Sequence, residues 1–169
     1  EWNFRAGQLH VTWDLPTTKI AAYREKSPAL LRIDPQLSTL YINFNNRKPP
    51  LDNPKVRRAL ALALDRAAIA RTVYNQSAQP ATTLVAPGSG NYLSPPGQPE
   101  DRAAARALLA EAGFPGGRGL PEFSLQVVNN EKLPKAAETI QALWQRELGV
   151  RISIEPFEQK TWIQNQQTL

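Results

Sequence analysis

The feature that most constrains the fold of this chain is a strand–helix–strand pattern near its C-terminal end. Residues 123–128 are rich in β-forming side chains, and residues 133–148 carry apolar side chains at helical spacing. Gly149 stands where a left-handed residue commonly ends a helix, and apolar and polar residues then alternate from 150 to 155. A strand, a helix and a second strand in this order predict a parallel pair of strands, and therefore an α/β fold.

Capping residues predict three more helices in the middle of the chain. Asn53 precedes Pro54, which is typical of a helix start because the amide caps the first turn and proline suits the first helical position. Asp65 is placed to cap a second helix directly after the first. A third helix is predicted over residues 99–113, with a glycine at its end.

The N-terminal part of the chain is predicted to be mainly extended. Alternating or β-rich composition predicts strands at residues 9–13, 29–33 and 37–44. A helix is expected from Pro16 to Lys26, capped by Thr17 or Thr18. Residues 75–98 are rich in proline, glycine, serine and threonine, so they predict a long connection of the kind that is often functional.

The charge of the chain admits a nucleic-acid partner but does not favour one. The net charge is +5 and the isoelectric point is about 9.7. Lysine and arginine are spread over several predicted elements, and no aromatic side chains interleave with them as stacking platforms require. We therefore expect a solvated basic surface rather than a nucleic-acid site. No apolar run approaches the roughly 18 residues of a membrane span.

Residues capable of catalysis are scarce in this sequence. Cysteine is absent, which excludes thiolate chemistry, disulfides and cysteine metal sites, and His10 is the single histidine. His10 falls on the polar face of a predicted strand, without partners for catalysis or metal binding. We predict a non-catalytic domain with no cofactor and no metal. Methionine is also absent, so we expect a processed chain or a fragment of a longer one.

Five motifs in order along the chain resemble those of the family 5 extracytoplasmic solute-binding proteins, which include oligopeptide- and dipeptide-binding proteins. The most specific covers residues 40–60 and reads LYINFNNRKPPLDNPKVRRAL. It is similar to the family's "Y-x-x-x-N" strand followed by a "K-P-P-F-x-D-x-x-V-R-x-A-L" loop and helix. The others are ALDR at 63–66, RAGQLHV at 5–11, ALLAEAGF at 107–114, and LW followed by LGV within 143–150.

The resemblance implies one lobe of a two-lobed, class II periplasmic-binding-protein fold, with a mixed sheet flanked by helices. Residues 1–169 then form part of the C-terminal-side lobe, without the first lobe and without the final return segment. That return segment carries an aspartate that pairs with the peptide ammonium in the family's oligopeptide binders. The residues implied to contact ligand are Tyr41, Asn43, Gln36, Tyr74 and Leu133.

The implied function is capture of a peptide outside the cytoplasm and its delivery to the permease of an ABC importer. The resemblance also implies a full-length protein that is monomeric and periplasmic, or anchored as a lipoprotein in a Gram-positive source. Asn43, Gln36 and Leu133 stand where some relatives have an acidic residue, an aromatic residue and a histidine, respectively. The ligand could therefore instead be a murein peptide, a nickel chelate, haem or an opine-like compound. Two further alternatives are a basic nucleic-acid-binding domain and an enzyme domain with catalytic residues elsewhere.

Overall fold

A computed structural model describes residues 1–34 and 36–167 of the chain. Its helices are α1 (Trp2–Arg5), α2 (Thr17–Lys26), α3 (Pro54–Leu62), α4 (Arg66–Thr72), α5 (Arg102–Glu111), α6 (Leu133–Leu148) and α7 (Gln159–Gln167). Its strands are β1 (Phe123–Val128) and β2 (Ile152–Phe157), and short 3₁₀ turns cover Pro28–Leu30 and Pro115–Gly117. Among these described residues, no helix combines the length and the apolar character that crossing a membrane requires.

Strands β1 and β2 form the predicted parallel pair. Their register places Phe123 opposite Ile152 and Val128 opposite Phe157, with α6 between them in the sequence. The α/β class is therefore confirmed, and within residues 1–34 and 36–167 the sheet consists of this parallel pair alone. Strand β2 begins two residues later than predicted, because Gly149 (φ 67°) and the Val150 amide, which donates to the Trp144 carbonyl, belong to the turn that ends α6.

Trp144 is the centre of the core. Its side chain is 0% exposed, and its indole N–H donates to the carbonyl oxygen of Leu60 at 2.9 Å. The rings of Phe44 and Phe123 lie 6.5 and 6.2 Å from it, centroid to centroid. One side chain of α6 therefore links α3, β1 and the segment before α3.

Side-chain caps begin three of the helices. The Asn53 side chain accepts from the Lys55 amide at 2.9 Å, and the Asp65 side chain accepts from the Ala68 amide at 2.7 Å, as the sequence predicts. Helix α5 starts later than expected, because Asp101 is its cap and accepts from the Ala104 amide at 2.9 Å. The predicted glycine at its end, Gly113, has a φ of 95°.

A buried carboxylate joins the C-terminal end of α6 to α5. The Glu147 side chain is 6% exposed and contacts the guanidinium groups of Arg106 at 2.6 Å, Arg146 at 2.7 Å and Arg102 at 3.5 Å. The hydrogen bond from Arg146, followed by the charges of Arg102 and the other arginines, lowers the pKa of Glu147 below its ordinary value although burial opposes this. The lowered pKa favours the ionised form of this carboxylate in the folded protein.

The N-terminal predictions are partly wrong. None of the segments 9–13, 29–33 and 37–44 forms a ladder within the described residues, and Pro28–Leu30 is a 3₁₀ turn. Alternation predicted strands, but a strand also needs a neighbouring backbone, and no described segment supplies one. Neither Thr17 nor Thr18 caps α2, because Pro16 holds the cap position and the Thr17 hydroxyl bonds elsewhere. The helix itself is confirmed.

The predicted long connection is confirmed, since residues 75–98 contain neither helix nor strand. It is held by side chains of its own. The Ser94 hydroxyl donates to the Val85 carbonyl at 3.1 Å, and the Ser89 hydroxyl donates to the Ala86 carbonyl at 2.7 Å. Leu93 at its far end is 90% exposed.

Candidate functional site

Tyr41 and Asn43 lie on the outward face of the segment before α3. Tyr41 is 60% exposed and Asn43 is also exposed, whereas Ile42 and Phe44 pack against the core. The alternation of exposure along these residues is that of an extended chain with one face buried. Tyr41 and Asn43 therefore share an exposed face, and their role in ligand contact stays a prediction.

The same segment has free backbone groups. Among the described residues, no backbone hydrogen bond involves the amides of residues 39–44. Gln36 lies nearby in the sequence, with an exposed side chain and a carbonyl that accepts from the Ser38 amide at 2.8 Å. Its neighbour Pro35 lies outside the described residues. A row of unpaired donors beside outward polar side chains is able to bind an extended peptide.

Tyr74 follows the C-terminal end of α4. Its side chain is half-buried, and this burial raises the pKa of the phenol, which keeps it neutral and able both to donate and to accept hydrogen bonds. Its carbonyl accepts from the amide and the hydroxyl of Ser77 at 2.9 and 2.6 Å. The two residues after it, Asn75 and Gln76, have left-handed φ values of 46° and 61°.

Leu133 lies beyond the carboxyl end of β1, at the first residue of α6. Its amide donates to the Asn130 side chain at 2.8 Å, as the Lys132 amide does at 2.9 Å. The Leu133 side chain is half-buried. In open α/β sheets, ligands bind outside the carboxyl ends of the strands, so this position is compatible with the predicted contact.

Thr17 connects the neighbourhoods of Tyr74 and Leu133. Its hydroxyl donates to Glu131 Oε1 at 3.0 Å, and its carbonyl accepts from Asn75 Nδ2 at 2.6 Å. We call Thr17, Asn75 and Glu131 the Thr17 cluster. The structure therefore brings two of the predicted residues to one side of the domain. Sequence reasoning missed Thr17, because its partners are 58 and 114 residues away and no local pattern reports them.

The other predicted residues are not gathered around a closed cavity. Of the two depressions described on this chain, one of about 380 Å³ lies between α6 and β2, and the other of about 570 Å³ lies between α1 and α2. None of the five residues predicted to contact ligand lines either depression. The predicted site therefore lies outside both of these depressions.

The basic residues around α3 have local partners. Arg57 donates to the carbonyl oxygens of Leu51 at 2.7 Å and Asp52 at 2.9 Å, and Lys55 pairs with Glu111 at 3.0 Å. Asn53 is a helix cap, as described above. In the part of the chain that the structure describes, no group of three acidic or histidine side chains is arranged to hold a metal ion. The His10 side chain is exposed.

Comparison with known proteins identifies the family. The family model for bacterial extracellular solute-binding proteins, family 5, middle region, matches residues 1–169. Two curated relatives are similar over 95% of this chain: the probable deoxycholate-binding periplasmic protein YgiS of Escherichia coli, 35% identical, and the periplasmic oligopeptide-binding protein OppA of Salmonella typhimurium, 34% identical. The chain spans 30% and 31% of their lengths, less than a third of each.

The fold has solved counterparts. The structure of the Escherichia coli murein tripeptide binding protein MppA is similar to this one, with a TM-score of 0.86 and 26% sequence identity. The match covers 99% of this chain and 34% of the MppA chain. This match confirms the predicted fold class, that of the periplasmic binding proteins. The chain belongs to the family 5 extracellular solute-binding proteins, as its motifs predict.

Proposed function

We propose that this member of the family 5 solute-binding proteins is part of the second lobe of a longer protein that binds peptides without transforming them. The observation that carries the proposal is the outward face of residues 39–44, where Tyr41 and Asn43 lie beside backbone amides without partners in the described chain. A peptide adds to such an edge by main-chain hydrogen bonds, which give affinity independent of peptide sequence. Side chains of the ligand then occupy hydrated pockets that tolerate variety.

Capture requires a second surface in this proposal. The open site on this chain is covered by the remainder of the protein, which closes on the ligand by a hinge motion. The coverage of about a third of each relative supports a longer protein with room for that second lobe. The closed form delivers the peptide to the permease of an ABC importer, acting outside the cytoplasm as a monomer. The names of the relatives as periplasmic binding proteins support this location and a non-enzymatic role.

A bile acid is a second candidate ligand. It is favoured by the 35% identity to a protein named as probably deoxycholate-binding. It is also favoured by the apolar exposed side chains of Leu37, Leu40 and Tyr41 along the same segment, since a steroid face needs apolar contact. Deoxycholate has no peptide backbone, so its binding would not use the free amides in the way that a peptide does.

Titration calorimetry of the full-length protein that contains this chain tests both candidates. We expect binding of di- to pentapeptides, and we expect Tyr41→Ala to weaken it about 5- to 30-fold, as loss of an interface tyrosine commonly does. Tyr92→Ala is the matched control, because Tyr92 is 55% exposed in the long connection and should leave affinity unchanged. Binding of deoxycholate without peptide binding would overturn the peptide assignment. Equal losses in both variants would remove residues 39–44 from the site.

Enclosure by two lobes has its own test. This chain expressed alone should bind peptides at least about 30-fold more weakly than the full-length protein. The family's aspartate that pairs with the peptide ammonium lies in the return segment outside residues 1–169, and removing one partner of a buried charged pair loses about 2–5 kcal/mol. Circular dichroism of the isolated chain controls for folding. Equal affinities would place the whole site within residues 1–169 and contradict the two-lobed mechanism.

A further inference from the structure

We propose that the Thr17 cluster is a positioning device that fixes the separation between Tyr74 and Leu133 and thereby determines which ligand side chains the site accepts. The inference rests on the proposed function, because Tyr74 and Leu133 are ligand contacts only within it. Thr17, Asn75 and Glu131 do not themselves need to touch the ligand. Their effect is on the two connections that carry the contacting side chains.

Thr17 has the geometry of a bridge between two connections. It is 4% exposed, a polar side chain in a region where the neighbouring residues of α2 are mostly exposed. Its carbonyl holds Asn75 at 2.6 Å and its hydroxyl holds Glu131 at 3.0 Å. One residue therefore ties the chain after α4 to the chain before α6 with two hydrogen bonds.

The connection after α4 depends on this bridge for its shape. Asn75 and Gln76 both have left-handed φ values, which are uncommon for residues other than glycine, although asparagine tolerates them better than most. Three hydrogen bonds hold this turn: the Asn75 side chain donates to the Thr17 carbonyl, the Arg24 guanidinium donates to the Asn75 carbonyl at 3.3 Å, and the Gln76 amide donates to the Ala70 carbonyl at 3.0 Å. Tyr74 directly precedes these residues, and its carbonyl takes part in the same turn by accepting from Ser77.

The connection before α6 is held from the same side. Glu131 lies two residues before Leu133, and Lys132 pairs with Asp14 at 3.5 Å. Asn130 at the carboxyl end of β1 accepts from the Leu133 amide. Trp144 and Glu147 hold the far end of α6, and the bonds of Glu131 and Asn130 hold the chain where its first turn begins. One buried threonine is therefore hydrogen-bonded both to the residue after Tyr74 and to the residue two positions before Leu133.

A positioning role differs from a stabilising role in what a substitution changes. The bonds of Thr17 join two connections and do not pass through the core around Trp144. Their loss should therefore move Tyr74 and Leu133 relative to each other while leaving the helices and the parallel strands in place. Selectivity among ligands should change more than overall stability.

Three variants of the full-length protein test this. Thr17→Val removes the hydroxyl and keeps the shape, Asn75→Gly removes the amide and permits the left-handed backbone, and Thr17→Ser restores the hydroxyl. Thr139→Val is the matched control, because the Thr139 hydroxyl donates to Lys135 within its own helix at 2.9 Å. The readout is the ratio of dissociation constants for the tripeptides Ala-Gly-Ala and Ala-Trp-Ala, with melting temperature measured in parallel.

We expect Thr17→Val and Asn75→Gly to change this ratio by about fivefold or more, the scale of one net hydrogen bond. Thr17→Ser and Thr139→Val should leave it within about twofold of wild type, less than the loss of one net hydrogen bond produces. A ratio that stays within twofold in Thr17→Val, or equal changes in Thr17→Val and Thr139→Val, would overturn the inference. Absence of tripeptide binding by the wild type would instead overturn the proposed function.

Amide hydrogen exchange decides the inference without any ligand. The reporters are bonded amides in the two connections: Gln76 and Ser77 after α4, and Asn129 and Leu133 before α6. Thr17→Val loses the bond to Glu131 and keeps the carbonyl that holds Asn75, so it should accelerate exchange at Asn129 and Leu133. Asn75→Gly should accelerate exchange at Gln76 and Ser77, and Thr139→Val should accelerate it in neither group. No acceleration at Asn129 and Leu133 in Thr17→Val, or none at Gln76 and Ser77 in Asn75→Gly, would show that the Thr17 cluster does not hold these connections. Either result would overturn the proposal even where the peptide assignment holds.

Discussion

Among the described residues, most of the buried apolar side chains lie in residues 53–157, and most of the large exposed ones lie in residues 1–44. In the first region, side chains of α3, α5, α6 and β2 enclose Trp144 and leave it without exposure. In the second, Ile20 is the single apolar side chain among the described residues that is counted as buried, and Trp13 is 97% exposed. The other large exposed apolar residues of this region are Trp2, Leu9, Val11, Leu30, Ile33, Leu37, Leu40 and Tyr41.

The difference shows which part of the chain carries its own folding free energy. In the 53–157 region, Asn53, Asp65 and Asp101 cap the starts of three helices, Gly149 ends a fourth, and the apolar side chains form a continuous buried core. The 1–44 region leaves backbone and apolar groups open to solvent, which in a folded protein commonly marks a surface that another surface covers. We therefore expect substitutions at equivalent residue types to have large effects in the first region and small effects in the second.

The tryptophans give the sharpest form of this comparison. Trp144→Ala should destabilise the chain by about 3–5 kcal/mol, because it empties the centre of the core and leaves the Leu60 carbonyl without a donor. Trp13→Ala should change stability by less than about 0.5 kcal/mol, as exposed substitutions usually do. Urea unfolding followed by circular dichroism measures both. Similar losses in the two variants would contradict the division into regions.

The glycines with left-handed backbones test the same division. A Cβ at Gly149 (φ 67°) would lie 2.3 Å from the Gly116 carbonyl oxygen, whereas a Cβ at Gly7 (φ 71°) meets nothing within 4 Å. Gly149→Ala should therefore cost about 2–4 kcal/mol, from the left-handed backbone and the clash together. Gly7→Ala carries the backbone term alone, about 1 kcal/mol. Thermal unfolding of the two variants checks this, and a larger shift for Gly7→Ala would reverse the comparison.

Substitutions of Glu147 and Glu111 compare the stability contribution of a buried ion pair with that of an exposed one. Glu147→Gln should destabilise by about 2 kcal/mol, because it leaves three guanidinium groups around an uncharged side chain. Glu111→Gln breaks only the exposed pair with Lys55 and should cost less than about 1 kcal/mol. Denaturant titration at neutral pH measures both, and equal effects would mean that burial of Glu147 does not strengthen its ion pairs.

The pH dependence of stability is a second test of what the ionised Glu147 side chain contributes. Its pKa in the folded state is lowered, first by the Arg146 hydrogen bond, so its contribution is complete above the unfolded-state pKa of about 4.3. The contribution is lost as the pH falls through the lower folded-state pKa. Wild-type stability should therefore decline below about pH 4.3 more steeply than that of Glu147→Gln. An equally steep loss of unfolding free energy below about pH 4.3 in the two proteins would contradict this.

The sequence by itself determined the elements whose signals are local. Asn53 and Asp65 cap helices because a short polar side chain reaches the free amides of the next turn, and Gly149 ends α6 because the left-handed backbone is open to glycine. The parallel pair followed from the order of these elements, and the motifs at residues 40–60 identified the family. Such features depend on neighbours within one or two turns, which the sequence displays directly.

The tertiary structure decided everything that depends on distant partners. The pattern of residues 37–44 predicted a strand, but pairing needs a neighbouring backbone, and the described chain provides none. Thr17 resembled a helix cap, yet its partners are Asn75 and Glu131, far away in the sequence. The partner of the Trp144 indole is likewise a carbonyl 84 residues away. Periodicity reports which face of a segment is apolar, whereas the groups that meet that face are fixed only when the chain has packed.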